Sequence, residues 1–135
     1  MAPFGKVVGE VTMQYVVLIY ESPKDFESRG SDRSHPYIAA WRAYHKALVA
    51  AGVYVGGAPL QDVGTATTVR LKDGRRRVQD GPFAEAKEQL GGFIILELPS
   101  IDEALEWAAR CPAAATGAVE VRPTDAAAHD TIVAP

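Results

Sequence analysis

A histidine in an aromatic helical segment is the first candidate for chemistry in this chain of 135 residues. At about 100° per residue, one arc of this helix carries four bulky side chains, those of Tyr37, Trp41, Tyr44 and Leu48. His45 falls inside that arc, beside Trp41, which we predict to bind a ligand. Because histidine titrates near neutrality, His45 is a candidate acid or base in a cleft between helix and sheet. A core or rim histidine held by one hydrogen bond is the alternative.

The second candidate site is the continuous segment 80–93, which reads DGPFAEAKEQLGGF. Asp80 opens a Gly-Pro turn, where its carboxylate can cap its own backbone or act in catalysis. Phe83 is expected to re-enter the core. Lys87 and Glu88 follow in a short helical or irregular run and are predicted to bind a small polar ligand. Pairing with neighbouring side chains on a solvated turn is the alternative for both residues.

A basic hairpin precedes this segment. With Asp73 and Gly74 as its two turn residues, the register places four cations on one side, namely Arg70, Lys72, Arg75 and Arg77. Like charges directly across a ladder repel, so acidic partners or an anion should offset them. Acidic side chains of a second subunit, with screening by water and salt, are the simpler solution. Anion or nucleic-acid binding is the alternative.

The elements that must position these residues follow from local patterns. Strands are predicted where β-branched and aromatic residues lie between turn signals, over residues 15–20, 53–61, 65–72, 75–79, 93–98 and 119–122. A helix is predicted over 36–51, since Pro36 suits a first turn and Gly52 suits a left-handed cap. A second helix is predicted over 101–110, opened by a capping box of Ser100 and Glu103.

Apart from the hairpin, the order β-α-β-β-α-β indicates an α+β fold. We expect a ferredoxin-like antiparallel sheet with two helices on one face and an extra hairpin strand. The central strands 15–20 and 93–98 are apolar on both faces, whereas two helices cover only one. The second face would expose more apolar surface than a soluble monomer normally tolerates. A homodimer that buries sheet against sheet is therefore predicted.

Two segments of this sequence resemble a known family. The segment 80–93 is similar to the signature of the DGPF proteins in the YciI-related family, and residues 13–20, MQYVVLIY, are similar to their usual start. The resemblance extends over residues 13–123 and implies that this domain forms a dimeric α/β barrel. Residues 1–12 are then an N-terminal extension, and residues 124–135 are expected to be a loose C-terminal tail.

The resemblance also implies site residues and partners. The YciI-related family is known for a histidine and an aspartate thought to be catalytic, and His45 and Asp80 are the candidates here. The family histidine lies farther from the following glycine pair than His45 lies from Gly56-Gly57, so the position of Trp41 is an alternative counterpart. DGPF domains occur fused to sigma-factor domains, which suggests a link to transcription by association.

Composition and missing motifs exclude several classes of function. Cys111 is the single cysteine, so an intramolecular disulfide is excluded and a reducing cytoplasmic location is expected. No histidine or cysteine spacing suits a metal, and no phosphate loop or serine-hydrolase elbow is present, so neither a metal nor a cofactor is expected. A net charge of -3 makes nucleic acid an unfavoured partner. No apolar run approaches the length that spans a membrane.

Two functions of different classes remain. The first is a small, metal-free dimeric enzyme that moves a proton on a small organic molecule through His45, with Asp80 or Glu88 nearby. The second is a non-catalytic module that binds a small ligand or regulates transcription through a sigma-factor association. Whether His45 opens into a pocket is the observation that best separates them.

Overall fold

The computed structural model describes residues 10–84 and 86–135, and an antiparallel sheet organises this part of the chain. Its strands are β1 Met13–Glu21, β2 Tyr54–Pro59, β3 Thr67–Lys72, β4 Arg75–Asp80, β5 Gln89–Leu98 and β6 Ala118–Pro123. Its helices are α1 Pro23–Ser28, α2 Pro36–Ala50, α3 Ile101–Ala109 and α4 Ala126–Val133. The predicted α+β class with an antiparallel sheet is confirmed. Residues 1–9 of the predicted extension lie outside the described residues.

Four strands form the main sheet, in the order β2-β5-β1-β6, while β3 and β4 form a separate hairpin. The central strands β1 and β5 pair antiparallel along their whole length, from Met13 opposite Leu98 to Glu21 opposite Gln89. Their alternation sends every second side chain to one face, as period-2 strands require. The core on that face contains Tyr15, Val17, Ile19, Ile94, Leu96 and Leu98.

Helices α2 and α3 both pack into this core. Tyr44 and Leu48 come from α2, and Trp107 comes from α3. The Tyr44 hydroxyl donates a hydrogen bond to the Trp107 carbonyl over 2.9 Å, so the two helices are joined inside the core. Leu48 and Trp107 are almost wholly buried, and each such side chain stabilises the fold by about 1.5–3 kcal/mol.

The other face of the sheet carries a second apolar set. Val16 lies opposite Ile95, and Leu18 lies opposite Phe93, all four only partly buried. Helices α2 and α3 lie on the opposite side of the sheet, against the core set. The apolar character of both faces of the central strands, predicted from their sequence, is therefore present in the fold.

Local signals set the start of α2, the helix that matters most for the site. The ring of His35 caps the helix by accepting a hydrogen bond from the Tyr37 backbone N–H over 3.1 Å, and Pro36 occupies the first turn. After the helix ends, Gly52 adopts a φ of 72°, the left-handed conformation that favours glycine. The predicted helix boundaries hold to within one residue.

Two helices were absent from the sequence prediction. The short α1 begins with Ser22 as its cap and Pro23 in its first turn. Helix α4 occupies part of the predicted loose tail, 124–135, and the Asp125 carboxylate caps it at the Ala128 N–H over 2.9 Å. This helix was not predicted from the sequence, although alanine has the highest helix propensity, and no residue of α4 is buried.

The β3–β4 hairpin has the predicted register, with Arg70 opposite Arg77 and Lys72 opposite Arg75. Asp73 and Gly74 both have positive φ, 52° and 74°, as a two-residue hairpin turn requires. The predicted return of Phe83 to the core was wrong, since its side chain is 73% exposed. Its ring instead lies against the Arg70 guanidinium, 4.7 Å from the centroid, so the hairpin and not the core provides its contact.

Across the described part of the chain, no helix combines the length and the apolar character needed to cross a membrane.

Candidate functional site

A cavity of about 810 Å³ lies between α2 and the β2–β5 half of the sheet. Its walls are mainly apolar and aromatic, and include Ile19, Trp41, Tyr44, Tyr54 and Ile94. Both the volume and the apolar lining with a few polar groups are typical of sites for small organic molecules.

The helical side of the cavity is a row of aromatic rings at helical spacing. Tyr37 and Trp41 meet edge to face with centroids 6.3 Å apart, and Trp41 meets Tyr44 at 5.8 Å. Across the cleft, the His45 ring contacts Tyr54 at 4.8 Å, again nearly perpendicular. Such edge-to-face contacts are favoured by the ring quadrupoles and fix the orientation of each ring.

A buried carboxylate lies at the inner end of this cavity. Glu21 is the last residue of β1, and only 1% of it is exposed. The Arg29 guanidinium binds its Oε1, and the Tyr37 hydroxyl donates a hydrogen bond to its Oε2. Burial of an unpaired carboxylate would be strongly unfavourable, so these two partners are what allow Glu21 to occupy this position. We call Glu21, Arg29 and Tyr37 the inner cluster.

Arg29 ties this cluster to three strand ends. It follows α1 directly, and its guanidinium donates hydrogen bonds to the backbone carbonyls of Leu60 and Gly91 in addition to Glu21. The same guanidinium lies 4.4 Å from the centroid of the Phe26 ring. Since Leu60 follows β2 and Gly91 lies in β5, one cation joins the ends of β1, β2 and β5 around the carboxylate.

The glycine pair of the segment 80–93 makes room for this arrangement. A Cβ added at Gly91 would overlap the Glu21 carboxylate, and one added at Gly92 would lie 2.9 Å from the Ala58 carbonyl oxygen in β2. Neither glycine is needed for its backbone conformation, because neither has a left-handed φ. The pair is required by space, for a buried side chain in one case and a neighbouring strand in the other.

Tyr37 and Tyr44, two of the tyrosines that line the cavity, stay protonated. Burial, followed by the hydrogen bond to Glu21, raises the pKa of Tyr37 well above its ordinary value, although a hydrogen bond with Trp41 opposes the rise. Burial likewise raises the pKa of Tyr44. The Tyr37 hydroxyl therefore keeps its proton and directs it at the Glu21 carboxylate.

Two of the predicted site residues meet in this cavity. Trp41 and His45 both line it, with His45 exposed at the outer end beside the exposed Arg42 and Lys46. Within residues 10–84 and 86–135, the His45 ring makes no hydrogen bond or ion pair. Its polar atoms are therefore free, as far as the described residues go, to meet a bound molecule.

The other predicted residues lie elsewhere in this single chain. Asp80 ends β4, is exposed, pairs in register with Thr67 and does not line the cavity. Lys87 lines a second cavity of about 640 Å³ that shares Glu21 and Arg29 with the first. Glu88 lines neither cavity. The carboxylate that shares the cavity with His45 is thus Glu21, not Asp80 or Glu88.

The sequence interpretation missed the inner cluster, although one signal for it was present. Along β1 the core-facing positions are Tyr15, Val17, Ile19 and Glu21. Strand alternation alone therefore predicts a carboxylate on the buried face, and a buried carboxylate needs partners. Nothing local identifies those partners, because Arg29 follows α1 whereas Tyr37 lies in α2.

Among the described residues, no three histidine, cysteine or acidic side chains are grouped so that they could hold a metal ion.

Comparisons with known proteins give a family, a relative in sequence and a solved structure. A family model described as the YCII-related domain matches residues 13–125. An uncharacterized protein of Rhizobium meliloti (strain 1021) is 36% identical over 113 residues, which cover 82% of this chain and 91% of that protein. The solved structure of 5-chloro-2-hydroxyhydroquinone dehydrochlorinase from Burkholderia phenoliruptrix AC1100 is 22% identical, with a TM-score of 0.49. That match covers 87% of this chain and 98% of the dehydrochlorinase chain.

Proposed function

This chain belongs to the family of YCII-related domain proteins, and we propose that it is a small enzyme that moves a proton on a small, planar organic molecule without a metal. The observation that carries the proposal is a single aromatic cavity lined by both the buried carboxylate of Glu21 and His45, whose ring has no hydrogen-bond partner among the described residues. An apolar cleft with a few polar groups and a titratable side chain is the usual form of such a site.

The proposed roles follow from position. His45 is the acid or base, because its ring lies at the outer end of the cavity against Tyr54 and has no described hydrogen-bond partner. Trp41 lies at the middle of the helical wall, where its indole offers a face or an edge to a planar ligand. Glu21 stays in place through Arg29 and provides a fixed hydrogen-bond acceptor at the inner end.

We further propose that the fold is ferredoxin-like and that two copies form a dimeric α/β barrel. The strand order β2-β5-β1-β6 supports the first point. The apolar face around Val16 and Leu18 supports the second, because a second copy would bury it. Val16→Asp should then give a monomer in light scattering, whereas Val69→Asp on the exposed hairpin should remain a dimer. A wild-type protein that is monomeric at 14.5 kDa would contradict the assembly.

Asp80, Lys87 and Glu88 keep their proposed roles only in such an assembly or after a movement of the loop between β4 and β5. In the single chain, Asp80 and Glu88 lie outside the cavity that contains His45. A second copy that places one of these carboxylates beside His45 would supply a partner that His45 does not have among the described residues of its own chain.

Proton transfer can be tested before the substrate is known. The protein is incubated in D₂O with small enolisable carbonyl compounds and phenols, and NMR follows the loss of their carbon-bound hydrogens. His45→Gln should abolish protein-dependent exchange while leaving ligand binding intact. His129→Gln, an exposed histidine on α4, is the matched control and should exchange like the wild type. Equal exchange by wild type and His45→Gln would overturn the assigned role.

A non-catalytic binding module is the second candidate, and one observation favours it. His45 has no carboxylate partner among the described residues that would orient its ring, as a catalytic histidine usually has. A protein that binds aromatic ligands in this cavity, yet exchanges no hydrogen under any condition, would be assigned to this class. The proposed link to transcription through a sigma factor belongs to this candidate.

A further inference from the structure

The two ends of the cavity present opposite chemistry to a ligand. At the inner end, Tyr37 and Glu21 line the wall as a hydroxyl and a buried carboxylate. At the outer end, Arg42 and Lys46 line it as exposed cations. A ligand that fills the cavity must therefore satisfy an acceptor-rich end and a cationic end at once.

The inner end favours a hydrogen-bond donor. The Tyr37 hydroxyl donates its proton to Glu21, and its oxygen, which already takes part in a hydrogen bond with Trp41, keeps a second lone pair that can accept from a ligand. Glu21 has acceptor capacity beyond its two described bonds, since an ionised carboxylate offers about four lone-pair sites. The charge of Arg29 is offset by Glu21, and its guanidinium also binds two backbone carbonyls. An anionic group placed here would meet the Glu21 carboxylate.

The outer end favours an anion. Neither Arg42 nor Lys46 forms an ion pair with another described residue, and both lie on the same turn of α2 as His45. Cations at the rim of a cleft with low-dielectric walls attract an anion more strongly than cations on a flat surface.

The distance between the ends fits one aromatic ring. Tyr37 and His45 are eight residues apart on α2, which corresponds to a rise of about 12 Å along the helix. Trp41 lies halfway between them. A single ring with substituents on opposite carbons, plus a hydrogen bond at each end, spans a distance of this order.

We propose that the cavity selects an aromatic molecule that carries a hydroxyl group at one end and an anionic group at the opposite end. The ligand hydroxyl donates to the Tyr37 oxygen, whose own proton is held by Glu21, and the anionic group lies between Arg42 and Lys46. Chains of hydrogen bonds of this kind strengthen one another. The inference rests on the proposed function, because it assumes that this cavity is the site.

Four small aromatic ligands test the preferences of the inner and outer ends of the cavity separately. The affinities of 4-hydroxybenzoate, 4-methoxybenzoate, benzoate and phenol are measured by NMR titration of the purified full-length protein. We expect 4-hydroxybenzoate to bind about tenfold more tightly than 4-methoxybenzoate, which has no proton to donate, and than benzoate. We also expect it to bind more tightly than phenol, which lacks the anionic group at neutral pH.

Variants assign each preference to its residues. Tyr37→Phe keeps the ring and removes the hydroxyl, and should bring the ratio between 4-hydroxybenzoate and 4-methoxybenzoate close to one. Tyr15→Phe is the matched control, because its hydroxyl lies outside the cavity and meets the Met13 sulfur at 4.0 Å. The surface pair Arg42→Gln and Lys46→Gln should remove the preference for 4-hydroxybenzoate over phenol, whether or not Tyr37→Phe folds.

Each outcome decides between the inference and the proposed function. Equal affinities for all four probes, with binding mapped to the cavity, would overturn the ligand class and leave the proposed function standing. A preference that persists in Tyr37→Phe would overturn the assignment of the inner end. Absence of binding by every probe, with the His45 and Trp41 resonances unmoved, would count against both.

Discussion

The inner cluster and the β3–β4 hairpin are both built from charged side chains, but the fold treats them in opposite ways. Glu21 is buried and bound by Arg29 and Tyr37, in a position that even a methyl group on Gly91 would disturb. On the hairpin, Arg75 and Arg77 are exposed and form no ion pair with another described residue. One region fixes a single charge through specific partners, whereas the other leaves several charges to water and salt.

This difference shows that the number of charged residues in a segment does not predict where the functional site lies. Exposed like charges repel weakly, because the high dielectric of water reduces their interaction and salt screens it further beyond about 10 Å. A buried charge is costly unless it is paired, so its partners must be arranged by the fold. The basic hairpin is prominent in the sequence, yet the single glutamate at the end of β1 is the charge around which three strand ends are organised.

The largest expected effect comes from removing the cation of the inner cluster. Arg29→Met leaves the Glu21 carboxylate buried without its ion-pair partner, and should lower the free energy of unfolding by about 3 kcal/mol. Urea denaturation measures the change. Arg75→Met, the same substitution on the hairpin, is the control and should change stability by less than about 0.5 kcal/mol. An equal loss of unfolding free energy in the two variants would show that the charges of the inner cluster and of the hairpin do not differ in their effect on stability.

A smaller loss is expected from adding one methyl group inside the cluster. Gly91→Ala places a Cβ against Glu21 and should lower the free energy of unfolding by about 1–3 kcal/mol, the usual range for overpacking. Gly30→Ala is the control, since its added Cβ would make only an ordinary contact of 3.6 Å with the Glu27 carbonyl oxygen. Thermal or urea unfolding that ranks the two alanine variants equally would show that the space beside Glu21 is not limiting.

The smallest effect is expected on the hairpin. Replacing Arg75 and Arg77 with glutamine removes half of the cations on one side of the ladder. The free energy of unfolding should stay within about 0.5 kcal/mol of the wild type, or rise slightly as like-charge repulsion is relieved. A loss well above this range in urea denaturation would mean that these cations have partners in the assembled protein.

The sequence predicts those parts of the fold whose cause is local. The turn at Asp73 and Gly74, the cap at Ser100 and the apolar run of β1 each depend on neighbouring residues, and each is present in the structure. The helix propensity of the alanines in α4 is local too, but only a loose tail, and no helix, was predicted over residues 124–135. These features need no knowledge of how distant segments meet.

The site was predicted only in part, because it depends on contacts between distant segments. Helical periodicity places Trp41 and His45 on the side of α2 that lines the cavity. The partners of Glu21 are Arg29, directly after α1, and Tyr37 in α2, and no spacing in the sequence predicts that they meet. Asp80 is the opposite case. It was predicted as a site residue because it belongs to a distinctive motif, but it ends a strand of the separate hairpin and lies outside the cavity.

The chain contains two tryptophans, and they provide the most direct test of the cavity as the functional site. Trp41 lines the cavity, whereas Trp107 is 1% exposed in the core and does not line it. Titration of ¹⁵N-labelled protein with phenol and with 4-hydroxybenzoate should shift the Trp41 indole N–H and the His45 ring resonances while leaving the Trp107 indole in place. Shifts confined to other parts of the chain, with Trp41 and His45 unchanged at saturation, would contradict the assignment of this cavity as the site.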